Sequence, residues 1–314
     1  MLDFINVPFA WILEQFYNLS NNYIVALFLF ALVFKIILLP SAISQQKGAA
    51  RQQRLQPKIR RIQARYAGDQ KKIQEEMQAL YAREGYNPMN AQGCLPLLIQ
   101  LPIIMILYNV IYKPLTYVIK VPSDVISDLN GVLESMKLGA SNDRYLEMNI
   151  LGNFEKVSAK VPEYAEEIRE FIDGFSLFGI PLTTQPNLDA LKGTDTGAKL
   201  LLLVPLLSGL TALLTSLISH VRQKKQNPEM SKNPMMGCMT FVMPVMSLVF
   251  TFQFPAGIGI YWIFQNILSA IQMVVLNRVY SNEKVLAKVL VVETIRRRSK
   301  ENNIKMVSKI KDKE

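Results

Sequence analysis

Ser216 and His220 stand at i, i+4, a spacing that could set a hydroxyl beside an imidazole for nucleophilic chemistry. A serine hydrolase would need both in a wet pocket with an oxyanion hole. His220, the only histidine, sits where an apolar run gives way to Arg222, Lys224 and Lys225, and it reads as an interfacial side chain. Cys94 and Cys238 are the only cysteines, too few for a disulfide framework and too scattered to make zinc ligands with one histidine. No GxxxxGK[ST] loop, Rossmann glycine pattern or HExxH is present, so no cofactor or metal is expected, and no enzymatic activity. What remains is polarity carried inside apolar runs. Lys35 lies in the first run, Gln100 and Asn109 in the second, and Ser208, Thr211 and Thr215 in the third. Thr240, Ser247 and Thr251 follow in the fourth, then Gln265, Ser269 and Gln272 at i, i+4, i+7 beside Asn266 in the fifth. Lipid cannot satisfy such groups, so they face other helices or a wet cavity. A single Ser or Thr reads as glue between helices. Stripes on nearly every run, with one cation among them, favour a shared hydrophilic cavity.

The elements that carry these residues follow from composition. The chain has 314 residues, half of them apolar and only 19% charged, against roughly 25% for an average soluble domain. The shortage of charge is local: apolar runs of about 20 residues alternate with strongly charged stretches, the pattern a bilayer requires. The expected architecture is an all-α integral membrane protein. Its spans cover residues 23–41, 93–117, 199–220, 236–254 and 256–277, and lack the period-2 alternation of a membrane barrel. Residues 1–22 carry Asp3 and Glu14 with no early basic residue, and read as an amphipathic helix in the outer interface, not a usual signal peptide. Basic residues set the orientation. Ala42–Gln92 holds 10 Lys/Arg against 4 Asp/Glu, Val221–Met236 holds 4 against 1, and Arg278–Glu314 holds 11 against 5. Val118–Ala198 holds 7 basic and 13 acidic residues. The basic segments are therefore expected in the cytoplasm, with the amino terminus outside and the carboxyl terminus inside.

Residues 42–92 read as a basic helical hairpin. Leu55, Ile59, Ile62 and Tyr66 recur at helical spacing, as do Ile73, Met77 and Leu80, with Gly68 and Asp69 suited to end one helix and cap the next. Arg51, Arg54, Lys58, Arg60, Arg61 and Arg65 stud its first arm. In the outer segment, 118–198, one helical stretch is marked by Val125, Leu129, Val132 and Leu133, and another by Tyr164, Ile168 and Phe171. The uncharged run from Phe175 to Leu182 is expected to lie in the membrane surface. Residues 221–235 form a cytoplasmic basic loop. In the tail, 278–314, Arg296, Arg297 and Arg298 suit ribosomal RNA phosphates or anionic lipid. Met230, Met235, Met236, Met239, Met243 and Met246 crowd the fourth span and its approach, where packing is the simpler reading than a yielding surface for apolar partners.

Lys35 lies roughly 7 Å from the inner end of its span. Its stem could snorkel that far, or its charge could face the cavity; the residues alone leave both open. Phe34-Lys-Ile-Ile-Leu-Leu-Pro40, Leu55-Gln-Pro-Lys58, Gly93-Cys-Leu-Pro-Leu-Leu-Ile-Gln-Leu-Pro-Ile103 and Phe254-Pro-Ala-Gly-Ile-Gly-Ile-Tyr-Trp-Ile-Phe-Gln-Asn266 resemble the YidC membrane-protein insertase family. The resemblance covers all five spans and the hairpin in order, and is similar to the shorter Gram-positive type. It implies five transmembrane helices around a hydrophilic groove in a bacterial cell membrane. Such a groove takes nascent hydrophobic segments and releases them to lipid, acting as insertase and chaperone without nucleotide hydrolysis. Lys35 matches the groove cation, where bacterial members typically carry Arg, so the charge is kept and the planar fork is lost. Gln100 and the polar residues Thr211, Thr215, Gln265, Ser269 and Gln272 fall where the groove would be lined. Tyr261 and Trp262 match aromatics near the client exit, and also suit an aromatic belt. Implied partners are nascent membrane proteins, the ribosome, the Sec translocon and the lipid bilayer. The competing readings are a small polytopic transporter or channel, and a passive ribosome receptor.

Overall fold

The computed structural model describes residues 3–86, 108–139, 145–226 and 234–311. The chain divides into two compact units, Met1–Ile37 with Leu98–Ile271, and Leu38–Leu97 with Gln272–Glu314. The described residues are overwhelmingly helical. In the first unit, α1 (Asp3–Ser20) and α2 (Tyr23–Ile37) form an antiparallel pair. Asn22 makes the corner: its Oδ1 accepts from the amides of Ile24 and Val25 at 3.0 and 3.1 Å, satisfying helix donors that would otherwise be orphans. α2 stops at Ile37, and α3 (Leu39–Arg65) begins with Pro40 in its first turn, where a missing N–H does no harm. The Tyr66–Asp69 turn then leads into α4 (Gln70–Arg83). Gly68 takes φ +97°, and Asp69 caps the amide of Lys72 at 3.1 Å.

Of the second expected span, residues 93–107 lie outside the described residues. Its end is irregular: helix at 108–112, a break at Lys113, then one π turn at Leu115–Ile119. The outer segment folds as short helices, α5 (Ser123–Ser135), α6 (Leu146–Gly152), α7 (Phe154–Val157) and α8 (Ala165–Gly174). Each turns an apolar stripe inward. Ile126, Leu129 and Leu133 are buried on α5, and Ile168 and Phe171 on α8. Tyr23 packs edge-on against Phe175 (4.7 Å, 85°) and tilted against Phe171, tying α2 to this layer. The run from Phe175 to Leu182 folds back on itself. A two-stranded ribbon, β1 (Ser176–Leu177) and β2 (Ile180–Pro181), turns at Phe178 and Gly179, both at positive φ. Phe175 and Leu182 are buried, and Phe178 is 90% exposed at the tip.

α9 (Thr196–Leu201) runs on into α10 (Leu203–Gln226), and α11 (Pro234–Thr251) and α12 (Ala256–Val279) follow. Among the described residues, Thr196–Arg222 and Ala256–Val279 are long and apolar enough to cross a membrane. The pair Tyr23–Ile37 and Leu39–Arg65 qualifies as a third if read as one span across its break. Leu203, Leu206, Leu210, Leu214 and Leu217 stand exposed along one side of α10, an apolar face of the kind lipid covers. The second unit adds α13 (Asn282–Lys311), a helix through most of the basic tail, which packs on α3. In the hairpin, Leu55, Ile59 and Tyr86 form a small core with Met77, Leu80 and Tyr81 packed on it.

Candidate functional site

In the first unit, Lys35 lies in the last turn of α2, where the helix dipole favours a cation. Its Nζ donates to Ser269 Oγ on α12 at 2.7 Å, and Ser269 donates in turn to the Gln265 carbonyl at 2.6 Å. Two residues 234 positions apart thus meet between apolar helices. Phe28 stands edge-on to Phe264, and Phe9 of α1 stacks on Phe34, so aromatic rings brace α2 near the cation. Gln265 Nε2 donates to Tyr261 Oη at 2.8 Å, one turn back along α12. Lys35, Ser269, Gln265 and Tyr261 therefore form a connected chain of polar groups. An ammonium has no acceptor to offer and three donors to place, so such a site attracts carboxylates and carbonyls.

Thr211 and Thr215 do something different. Thr215 Oγ1 donates to the Asn266 carbonyl at 3.1 Å, and Asn266 Nδ2 donates to Thr211 Oγ1 at 3.3 Å. These bonds join α10 to α12. A second cluster joins α10 to α11. Ser208 and Ser247 hydroxyls lie 2.8 Å apart, and Thr251 Oγ1 donates to Ser208 Oγ at 3.1 Å with Ser208 and Thr251 fully buried. Gly209 faces Leu248 alongside, so small side chains allow close approach. His220 Nδ1 lies 3.3 Å from Thr240 Oγ1, a further tie between the two helices, reached across to α11 instead of to Ser216. Trp262 packs edge-on against Tyr108 and Phe254 and tilted against Phe250, an aromatic group separate from the Lys35 chain. Gln272 lies on α12 in the second unit, and Gln100 lies outside the described residues.

Sequence reasoning missed Glu147. It is buried on α6, and accepts from the Thr116 amide at 3.1 Å and the Thr116 hydroxyl at 2.5 Å. Burial holds its carboxyl above the usual range, with the Thr116 bonds and Lys113 pulling the other way. The one available signal was an acidic residue inside Tyr145–Leu151, where Asn149 is the only other polar residue among apolar and aromatic ones. In the second unit, Lys58 pairs with Glu84 across the hairpin, and Arg65 stacks over its neighbour Tyr66. Arg51, Arg60 and Arg61 are exposed on α3, and Arg54 is half-buried there. Arg296, Arg297 and Arg298 fall on α13, with Arg297 Nε 2.9 Å from Glu301. Among the described residues no group of three or more His, Cys, Asp or Glu could hold a metal ion.

Residues 15–284 match the family described as 60Kd inner membrane protein. The chain belongs to that family. Family members similar to this chain include the membrane protein insertase YidC of Syntrophobacter fumaroxidans, 28% identical over 276 residues, 88% of this chain and 38% of that protein. The Streptomyces avermitilis protein of the same name is 27% identical over 286 residues, 85% of this chain and 56% of its own length. The Listeria innocua membrane protein insertase YidC 2 is 26% identical over 286 residues, covering 90% and 73%. The chain thus spans about 40 to 75% of the length of these relatives. Membership of the 60Kd inner membrane protein family and the apolar helices together make this a membrane protein.

Proposed function

We propose that the chain is a membrane-protein insertase and chaperone. The observation that carries this reading is Lys35 bonded to Ser269 between apolar helices in a chain of the 60Kd inner membrane protein family. A wet groove part-way through the bilayer shortens the hydrophobic barrier a client's polar outer segment must cross. Charged groups cost about 2.5–3.5 kcal/mol each at a span's centre, and burying an apolar 20-residue span offsets several of them. No fuel is then needed and no covalent step is catalysed, so the protein acts as a catalyst of insertion without being an enzyme of bond chemistry.

In this reading five helices cross the bilayer, with the amino terminus outside and the carboxyl terminus in the cytoplasm of a bacterial cell. The charge bias of the connecting segments supports that orientation. Lys35, Gln100, Gln265 and Ser269 line the groove, with Thr211 and Thr215 holding its wall, and Tyr261 and Trp262 stand toward the lipid exit. Clients are nascent membrane proteins. The arginines of α13 meet the ribosome, and the Sec translocon is a further partner.

The test is reconstitution of the purified chain alone in liposomes, with a small single-span client added as it is synthesised. Insertion above that of empty liposomes, without added nucleotide, is the expected result. Solute flux without client insertion would instead make the protein a transporter or channel.

A further inference from the structure

The second unit has an open cavity of about 940 Å³ between the first arm of the hairpin, its last turn and the start of α13. Lys47, Arg51 and Arg54 of α3 and Lys284 and Lys288 of α13 bring five cations to its lining. Glu84 is the only acidic group among the described lining residues, and it is ion-paired with Lys58. Like charges gathered around one cavity repel, and the repulsion is relieved when an anion enters. The walls between them are apolar. Val279, Val285 and Val292 line the same space, and Leu55 is buried at its floor.

The frame is fixed by specific contacts. Gln46 is buried and its Nε2 donates to Asn277 Oδ1 and to the Tyr280 carbonyl, both at 3.2 Å. Lys47 Nζ lies 5.3 Å from the Tyr280 ring centroid, and Lys284 Nζ donates to the Arg278 carbonyl at 3.1 Å. α3, the end of α12 and the start of α13 are thereby held together. Val279 is the last residue of α12, one of the two helices long and apolar enough to cross a membrane. The cavity therefore adjoins the end of an apolar helix of spanning length, and a helix that spans a bilayer ends at the depth of the lipid headgroups.

We propose that this cavity binds the phosphate headgroup of an anionic phospholipid. Arginine and lysine hold the phosphate oxygens, and the valine wall takes the glycerol and the first methylenes of the chains. A free phosphate would use the cations and leave the valines without a role. The site is distinct from the Lys35 chain, and the proposal does not rest on insertase activity.

The full chain, purified in detergent and stripped of lipid, is offered phosphatidylglycerol or phosphatidylcholine and followed by native mass spectrometry and thermal unfolding. Phosphatidylglycerol should be retained in preference and should raise the unfolding temperature. Arg51→Gln with Lys288→Gln should weaken its binding about thirtyfold, since each basic residue near an anionic headgroup contributes about fivefold. Arg51→Lys with Lys288→Arg should keep it. Lys71→Gln with Lys300→Gln removes the same charge outside the cavity and should leave binding intact. Equal losses in the two glutamine pairs would reduce the effect to diffuse attraction and overturn the proposal. Inorganic phosphate that stabilises the protein as strongly as phosphatidylglycerol would assign the cavity to a free anion and overturn it equally. A photoreactive phosphatidylglycerol on the wild-type chain gives an independent reading. It should label residues 279–292, and labelling confined elsewhere overturns the assignment.

Discussion

Among the described residues the Lys35 ammonium is held by one hydroxyl, that of Ser269, and an ammonium has two further protons for other acceptors. If those acceptors are a client's carboxylates, charge at this position should matter only for clients that carry them. Lys35→Arg should insert acidic and neutral versions of one client normally. Lys35→Ala should slow the acidic version by about tenfold, the scale of a half-screened charge pair, and Lys35→Glu should be worse. The neutral version should change little. Insertion of both versions, normalised to folded protein, is the measurement; equal slowing of the two would leave Lys35 as an interfacial anchor. Glu147 gives a pH prediction outside the spans. Its carboxyl is raised in the folded state by burial, so folding favours the protonated form. That contribution is fully present below the ordinary carboxylate value near 4.5 and is lost as pH rises through the raised value. The unfolding midpoint should climb as pH falls from 7 toward 5. Glu147→Gln should raise stability at pH 7 by of order 1 kcal/mol and flatten that dependence.

At the scale of elements, the start of α12 is the most tightly specified junction described. The amides of Ala256 and Gly257 donate to the carbonyls of Thr184 and Leu182 at 2.9 and 2.8 Å, so the chain leaving the ribbon caps the helix. Gly257 allows it: a Cβ there would lie 2.1 Å from Phe175 Cζ, and Phe175 is fully buried beside Tyr23. Gly257→Ala should cost about 1–3 kcal/mol by overpacking, read as a lowered unfolding midpoint in detergent. Phe175→Leu in the same chain should recover part of the loss, because the two changes share one contact. A simple sum of the two single losses would show that the collision is not what Gly257 avoids. The turn at Gly68 and Asp69 belongs to the opposite case. Its chemistry is local, and both residues take the conformations their types favour.

For the whole molecule, the division into two units separates the packed core from the hairpin and tail. The core of the first unit runs through Leu13, Phe30, Leu115, Leu129, Met148 and Phe171, none of which belongs to the hairpin. Within α4 no side chain is buried. Deleting 44–85 should therefore leave a folded, membrane-embedded protein that has lost client delivery. Protease resistance and insertion rate, measured on the same preparation, check this. A deletion variant that inserts clients at the full rate would remove the hairpin from the mechanism.

The sequence by itself determined the apolar runs, the charge bias of the segments between them, the hairpin turn and the positions of polar residues along each helix. These depend on hydropathy, turn chemistry and a 3.6-residue period, all local properties. It could not say which polar stripe meets which. Thr211 and Thr215 share a stripe with Ser208, yet their hydroxyls bond to Asn266 on α12 while the Ser208 hydroxyl bonds to Ser247 and Thr251 on α11. The bond between Lys35 and Ser269, the Thr116 amide and hydroxyl on Glu147, and the five cations around one cavity likewise came only with tertiary structure. Partners far apart in sequence are chosen by how helices rotate and how closely they pack, and that follows from the sum of many side-chain volumes, which no single segment encodes.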